Sequence, residues 1–134
     1  TGFGKNFDAY KEGTLDNLLG VIQIETVEAL DELDEIASLP GVDVLFIGPA
    51  DLTMALGIDG DLSHPLFIDA VDKIIAAAKN AGKAVGILIF DPNDFAKYNE
   101  MGIQLIACGA DATFVANGAR ALASQLNSAK IKKE

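Results

Sequence analysis

The 134-residue sequence contains one cysteine, one histidine, one arginine and no tryptophan, and each scarcity excludes something. The single thiol, Cys108, cannot form an internal disulfide, so nothing marks a secreted disulfide scaffold, and zinc sites built on several cysteines are ruled out. Basic residues are outnumbered, 10 Lys and Arg against 20 Asp and Glu, for a net charge of −10. With no clustered basic stripe there is little to neutralise phosphates, and nucleic acid is not an expected partner. Long apolar runs are missing too. None reaches the roughly 18–20 residues of a membrane span, so no membrane partner is expected either. The first residues do not read as a signal peptide, and a cytoplasmic protein is expected. The chain begins at Thr1 and reads as one unit over 1–134, a single domain or a fragment of one.

Half of the residues are hydrophobic, enough for a real core, and their spacing alternates between two periods. Val21 to Thr26, Val42 to Ile47, Ala84 to Phe90 and Gln104 to Cys108 are short, apolar and rich in β-branched residues, the pattern of strands. Helical spacing is predicted over Phe7 to Leu19, Val27 to Leu39, Pro65 to Ala81, Asp91 to about Met101 and Ala112 to Lys132, the last with a basic tail. Pro40-Gly41, Gly48-Pro49, Gly82 and Gly102 punctuate the repeats. Four strand–helix units with strands this apolar imply a parallel sheet covered by helices. A (β/α)₈ barrel takes ~250 residues and eight strands, so four units resemble half of one. A complete, small, open doubly wound sheet is the alternative.

Two carboxylates sit awkwardly in this pattern. With a period of two, Val21, Gln23 and Glu25 share one face of the first strand, placing an amide and a carboxylate near its C-terminal end. Buried without partners, both would be costly. The second strand runs into G-P-A-D-L, which puts Asp51 just past its own C-terminal end, the rim where α/β active sites lie. Two carboxylates on one rim repel unless a cation lies between them, and all-oxygen ligation suits Mg²⁺ or Mn²⁺. The plain alternative is that each carboxylate caps the helix that follows it.

The ordered motifs weigh on this choice. Q-I-E-T at Gln23 to Thr26 is followed by P-G-V-D at Pro40 to Asp43 and F-I-G-P-A-D-L at Phe46 to Leu52. A-L-G at Ala55 to Gly57, H-P at His64-Pro65, A-G-K at Ala81 to Lys83 and G-I-L at Gly86 to Leu88 come next. The set resembles the HpcH/HpaI aldolase family, over nearly the whole chain from about Val21. The resemblance implies an α/β fold, the C-terminal half of a (β/α)₈ barrel with its fifth to eighth strands. It also implies a divalent-metal-dependent lyase that cleaves 4-hydroxy-2-oxo acids to pyruvate and an aldehyde. By resemblance Glu25 and Asp51 match the metal ligands, for Mg²⁺ or Mn²⁺ first and Co²⁺ or Zn²⁺ as further possibilities. Gln23 matches the catalytic amide that reaches the pyruvate. The turn Gly48, Pro49, Ala50 and Asp51 matches the substrate-binding segment, with the N–H groups of Ala50 and Asp51 on the substrate carboxylate. Leu88 matches an apolar wall beside the aldehyde.

The family also uses a His base and an Arg from the first half of the barrel. Here the only His, His64, reads as a helix start before Pro65, and the only Arg, Arg120, as a solvated helix charge. Cys108-Gly109-Ala110-Asp111 departs from the family's V-G-x-D. A Schiff-base route would need a lysine at the rim, but Lys83 lies at the opposite end of its strand and Lys73, Lys79 and Lys97 lie on helices. The acidic set Glu28, Asp31, Glu32, Asp34 and Glu35 reads as a solvated helix face. Cys108 reads as a core thiol, Tyr98 and the phenylalanines as packing, and Asp91-Pro92 as a helix start. The expected partners are a 2-oxo acid, an aldehyde, an N-terminal half-barrel and further copies in a homo-oligomer joined partly by the last helix. Exposure of the inner face is expected at Val44 or Leu45, Ile87 or Leu88, and Ile106. Two rival functions are a related lyase of acyl-CoA hydroxy acids and a non-catalytic module that binds metal and oxo acid.

Overall fold

The computed structural model describes residues 2–128. Two short helices, α1 (Phe7–Glu12) and α2 (Thr14–Asn17), precede strand β1 (Val21–Ile24). Then come α3 (Val27–Asp31), α4 (Leu33–Ser38), β2 (Val44–Ile47), α5 (Pro49–Ala55), α6 (Pro65–Asn80) and β3 (Ala84–Ile89). A 3₁₀ turn (Pro92–Asp94), α7 (Phe95–Glu100), β4 (Leu105–Cys108) and α8 (Asp111–Ser128) complete the order. The four strands form one sheet in the order β1-β2-β3-β4, every pair parallel. The strands are those the apolar runs predict, trimmed by up to two residues at their ends.

Register sorts the side chains onto two faces. Ile24, Leu45, Ile47, Val85, Ile87 and Ile89 lie on the face covered by helices and are buried. Helix α6 closes that face with Phe67, Ala70, Val71, Ile74, Ala77 and Ala78, the i, i+3, i+4 stripe of an amphipathic helix. Leu33 and Ala37 of α4 and Tyr98 of α7 join the same core. The opposite face carries Gln23, Phe46, Leu88, Leu105 and Ala107, all exposed or half-buried. Of the residues expected to be exposed, Leu88 lies on this open face but is half-buried. Val44, Leu45 and Ile87 are buried, and Ile106 is half-buried against the helix-side core.

Four further readings need correction. Val27 to Leu39 is two helices rather than one, broken at Glu32. Its apolar residues Val27, Leu30, Leu33 and Ile36 recur every third position, and in a straight α-helix each step of three falls about 60° short of a full turn. The break resets the phase so that Leu33 and Ala37 are buried, while Val27 stays exposed. Phe7 to Leu19 is likewise two short helices divided at Gly13. Cys108 is exposed rather than in the core, because β4 is an edge strand. Of the aromatic residues, Phe67 and Tyr98 are core, whereas Phe3, Phe7, Phe90, Phe95 and Phe114 are exposed. The five acidic residues from Glu28 to Glu35 are all exposed, as expected. Helix α8 buries none of its described residues and leaves Phe114, Val115, Leu122 and Leu126 exposed; Lys130 and Lys132 of the basic tail lie outside the described residues. Among the described residues no helix is long and apolar enough to cross a membrane.

Candidate functional site

The C-terminal rim of the sheet is built by what ends each strand. The β1 ladder stops at Ile24, and Thr26 turns outward to cap α3, its hydroxyl accepting from the Ala29 N–H at 3.1 Å. Thr26, not Glu25, caps that helix. At the end of β2, Gly48 donates its N–H to the Ile24 carbonyl (3.3 Å) and accepts from the Leu52 N–H (2.9 Å). Pro49 occupies the first position of α5, where its missing N–H loses nothing. Asp51 is in the first turn of α5, exposed, and Gly48 rather than Asp51 holds the cap position. Neither carboxylate is therefore an N-cap. The first N–H groups of α5, those of Ala50 and Asp51, precede the helical ladder and have no intrahelical acceptor.

Gln23 and Glu25 converge over Gly48. A Cβ built on Gly48 would lie 2.7 Å from Glu25 Oε2, 2.9 Å from Gln23 Nε2 and 3.1 Å from Glu25 Cβ. Glu25 Oε2 is buried and has no hydrogen-bond partner, alone in this among the described side chains. A buried carboxylate oxygen without a donor is costly, so this atom lacks a cation or a donor. No cluster of three or more His, Cys, Asp or Glu forms among the described residues. The chain thus offers two carboxylates on one rim, a donor set that fits a hard divalent cation keeping several positions open for water or substrate. Lys83 precedes β3 at the other end of the sheet, as expected.

Beside this group is a cleft of about 300 Å³, lined by Pro49, Ala50, Leu88, Asp91, Asp94 and Tyr98 among others. It joins two expected substrate-binding segments, the Gly48 turn and Leu88, to three residues assigned no role in binding. Asp91 does start a helix, its carboxylate accepting from the Asn93 N–H at 2.9 Å, but it also follows the C-terminal end of β3 and so belongs to the rim. That placement is the signal that would have drawn attention to it. Tyr98 is in the core yet reaches the cleft. Its burial, with the nearby Asp94 charge, pushes its hydroxyl pKa up. His64 caps α6, its Nδ1 accepting from the Leu66 N–H at 3.2 Å, and Arg120 donates to Asn117 Oδ1 at 3.1 Å on exposed α8. Neither belongs to the rim group.

The family model for HpcH/HpaI aldolase/citrate lyase matches residues 6–118. The chain belongs to that family. It is similar to a curated relative named 4-hydroxy-2-oxo-heptane-1,7-dioate aldolase from Shigella flexneri, 40% identical over 123 residues, covering 91% of this chain and 46% of the relative. Among solved structures, a HpcH/HpaI aldolase/citrate lyase family protein from Burkholderia cenocepacia J2315 superposes with a TM-score of 0.81 at 36% identity, covering 94% of this chain and 49% of that one. The HpcH/HpaI aldolase from Desulfitobacterium hafniense DCB-2 gives 0.74 at 29% identity, covering 87% and 47%. The chain thus spans about half the length of the relatives it matches. Its α/β sheet is the C-terminal half of the family's (β/α)₈ barrel.

Proposed function

We propose that this chain is the metal- and oxo-acid-binding half of an aldolase that cleaves 4-hydroxy-2-oxo acids to pyruvate and an aldehyde. The observation that supports this reading best is the unpartnered, buried Glu25 Oε2 on the rim used by α/β enzymes. Glu25 and Asp51 would hold a divalent cation, Mg²⁺ or Mn²⁺ before Co²⁺ or Zn²⁺. Such an ion supplies Lewis-acid charge beside the oxygens of the oxo acid. The Gln23 amide orients the pyruvate portion by donating to it. The free N–H groups of Ala50 and Asp51, after the Gly48-Pro49 turn, receive the substrate carboxylate. Leu88 presents its half-buried side chain to the aldehyde portion. A general base and a cationic group are left to a complementing N-terminal half-barrel, because His64 and Arg120 are engaged elsewhere. The assembled protein is then a cytoplasmic homo-oligomer of barrels.

Titration calorimetry with Mn²⁺ tests the ligand assignment. Binding to the wild-type chain should be lost in Glu25→Gln and in Asp51→Asn, and pyruvate or oxalate should tighten it by offering two more oxygens. Unchanged affinity in both variants would overturn the assignment.

A further inference from the structure

We propose that Gly48 is a positioning residue for the rim: lacking a Cβ, it leaves the space into which the Glu25 carboxylate and the Gln23 amide fold, and thereby holds Glu25 Oε2 in its inward, unpartnered place. This rests on the reading of Glu25 as a metal ligand. Glycine is often required for its backbone freedom, but that is not the reason here. Gly48 has φ −96° and ψ 86°, a negative φ that does not call for glycine. The requirement is room. Two polar atoms, Glu25 Oε2 and Gln23 Nε2, lie at 2.7 and 2.9 Å from the position a Cβ would take, closer than real Cβ contacts come.

The backbone has no easy retreat from such a methyl group. The Gly48 N–H is tied to Ile24 at the end of β1, and its carbonyl accepts the first hydrogen bond of α5. Moving Gly48 away would break the β1–β2 junction or unwind the helix that carries Asp51. The side chains must yield instead. Oε2 and Nε2 are the far ends of flexible side chains and can swing aside at modest expense to the fold. Glu25 Cβ, at 3.1 Å, is also closer than most real Cβ contacts and has to give by a few tenths of an ångström. Alanine at 48 should thus leave the fold standing while moving the carboxylate out of its pocket.

The test compares wild type, Gly48→Ala, Glu25→Gln, Glu25→Ala and the double variant Glu25→Ala/Gly48→Ala, by Mn²⁺ calorimetry and thermal melts. Gly48→Ala should weaken Mn²⁺ binding by about 10–100-fold, the range seen when groups that orient a metal ligand are disturbed. It should also lower Tm less in the Glu25→Ala background than in wild type, because the nearest obstructing atom has gone. Wild-type Mn²⁺ affinity in Gly48→Ala, with binding lost in Glu25→Gln, would overturn the proposal and leave the metal reading intact. If Glu25→Gln itself binds Mn²⁺ like wild type, the metal reading fails and the melts alone decide: equal Tm losses in both backgrounds refute positioning, and a smaller loss without the Glu25 side chain supports it. Should Gly48→Ala fail to fold, recovery of folding in the double variant supports the proposal, and no recovery overturns it.

Discussion

Replacing Glu25 by glutamine should make the metal-free chain more stable, not less. Oε2 is buried with no hydrogen-bond partner, folded over the Gly48 turn. A polar group left unsatisfied in the interior costs about 1–3 kcal/mol, more if charged. Glutamine keeps the shape and removes the charge but still leaves a polar end unsatisfied, so a gain of about 1 kcal/mol is expected. For a domain of this length 1 kcal/mol corresponds to a Tm change of roughly 3–5 °C, well within the reach of a melting experiment in EDTA. Divalent cation should reverse the order. A ligand at 100 times its Kd adds about 2.7 kcal/mol to the state that binds it, and only the wild type should receive this. Parallel melts of the two proteins in EDTA and in Mn²⁺ therefore give a crossing. A glutamine variant that melts below wild type in EDTA would show that Oε2 already has a partner. An identical response of both proteins to Mn²⁺ would remove Glu25 from the ligand set.

Thr53 is fully buried, donating to the Ala50 carbonyl (2.8 Å) and accepting from the Gly60 N–H (3.0 Å), so it ties α5 to the loop lining the cleft. Thr53→Val should lower stability in urea by about 1–3 kcal/mol, and a loss under about 0.5 kcal/mol would show that the two bonds are immaterial. Tyr98 titrates above the usual phenol value because burial, and then Asp94, disfavours its anion. The unfolded chain therefore loses this proton first as pH rises, so the contribution of Tyr98 to stability is complete below about pH 10 and is lost as pH climbs through its folded value. Tyr98→Phe should flatten urea midpoints across that alkaline range, and an unchanged slope would contradict the assignment. Turnover of a 4-hydroxy-2-oxo acid by the chain alone should be very low, since a missing general base is worth about 10²–10⁴-fold; robust pyruvate release in a coupled assay would require a base among the residues present. Light scattering should find an associated species rather than a free 14.0 kDa monomer, because among the described residues β1 and β4 each have an unpaired edge and Leu105 and the apolar residues of α8 are exposed.

Much of the fold was legible because two periods dominate it. The stripe from Phe67 to Ala78 and the β-branched runs around Ile24, Ile47 and Ile87 leave little choice of element. What periodicity could not show was phase. The three-residue spacing from Val27 to Ile36 reads as one helix until the core has to be met, and only then does Glu32 break it. Nor does an apolar run tell which face is covered: Leu45 and Leu88 look alike in sequence, yet one is fully buried and the other half-open. Of the candidate site, Gln23 and Glu25 stood out as polar residues in an apolar strand, and Asp51 through its motif. The contact of both Gln23 and Glu25 with Gly48 was hidden, because it joins residues more than twenty positions apart through an atom that glycine does not have. Asp91 was masked by its own second role as a cap.

The order of the strands in space is their order along the chain, and this has a consequence for how the molecule is made. Each strand pairs with the one completed just before it, so no segment has to be inserted between two already docked. As the chain emerges during synthesis, β1 can template β2 once α3 and α4 have returned the backbone, and each later unit adds to a growing edge. Loop closure is paid in short instalments of one strand–helix repeat, which favours fast assembly over the long-range pairing that slows many parallel sheets. Among the described residues β1 and β4 each keep one unpaired edge, so the same pairing rule that adds β2 to β1 lets either edge take a further parallel strand.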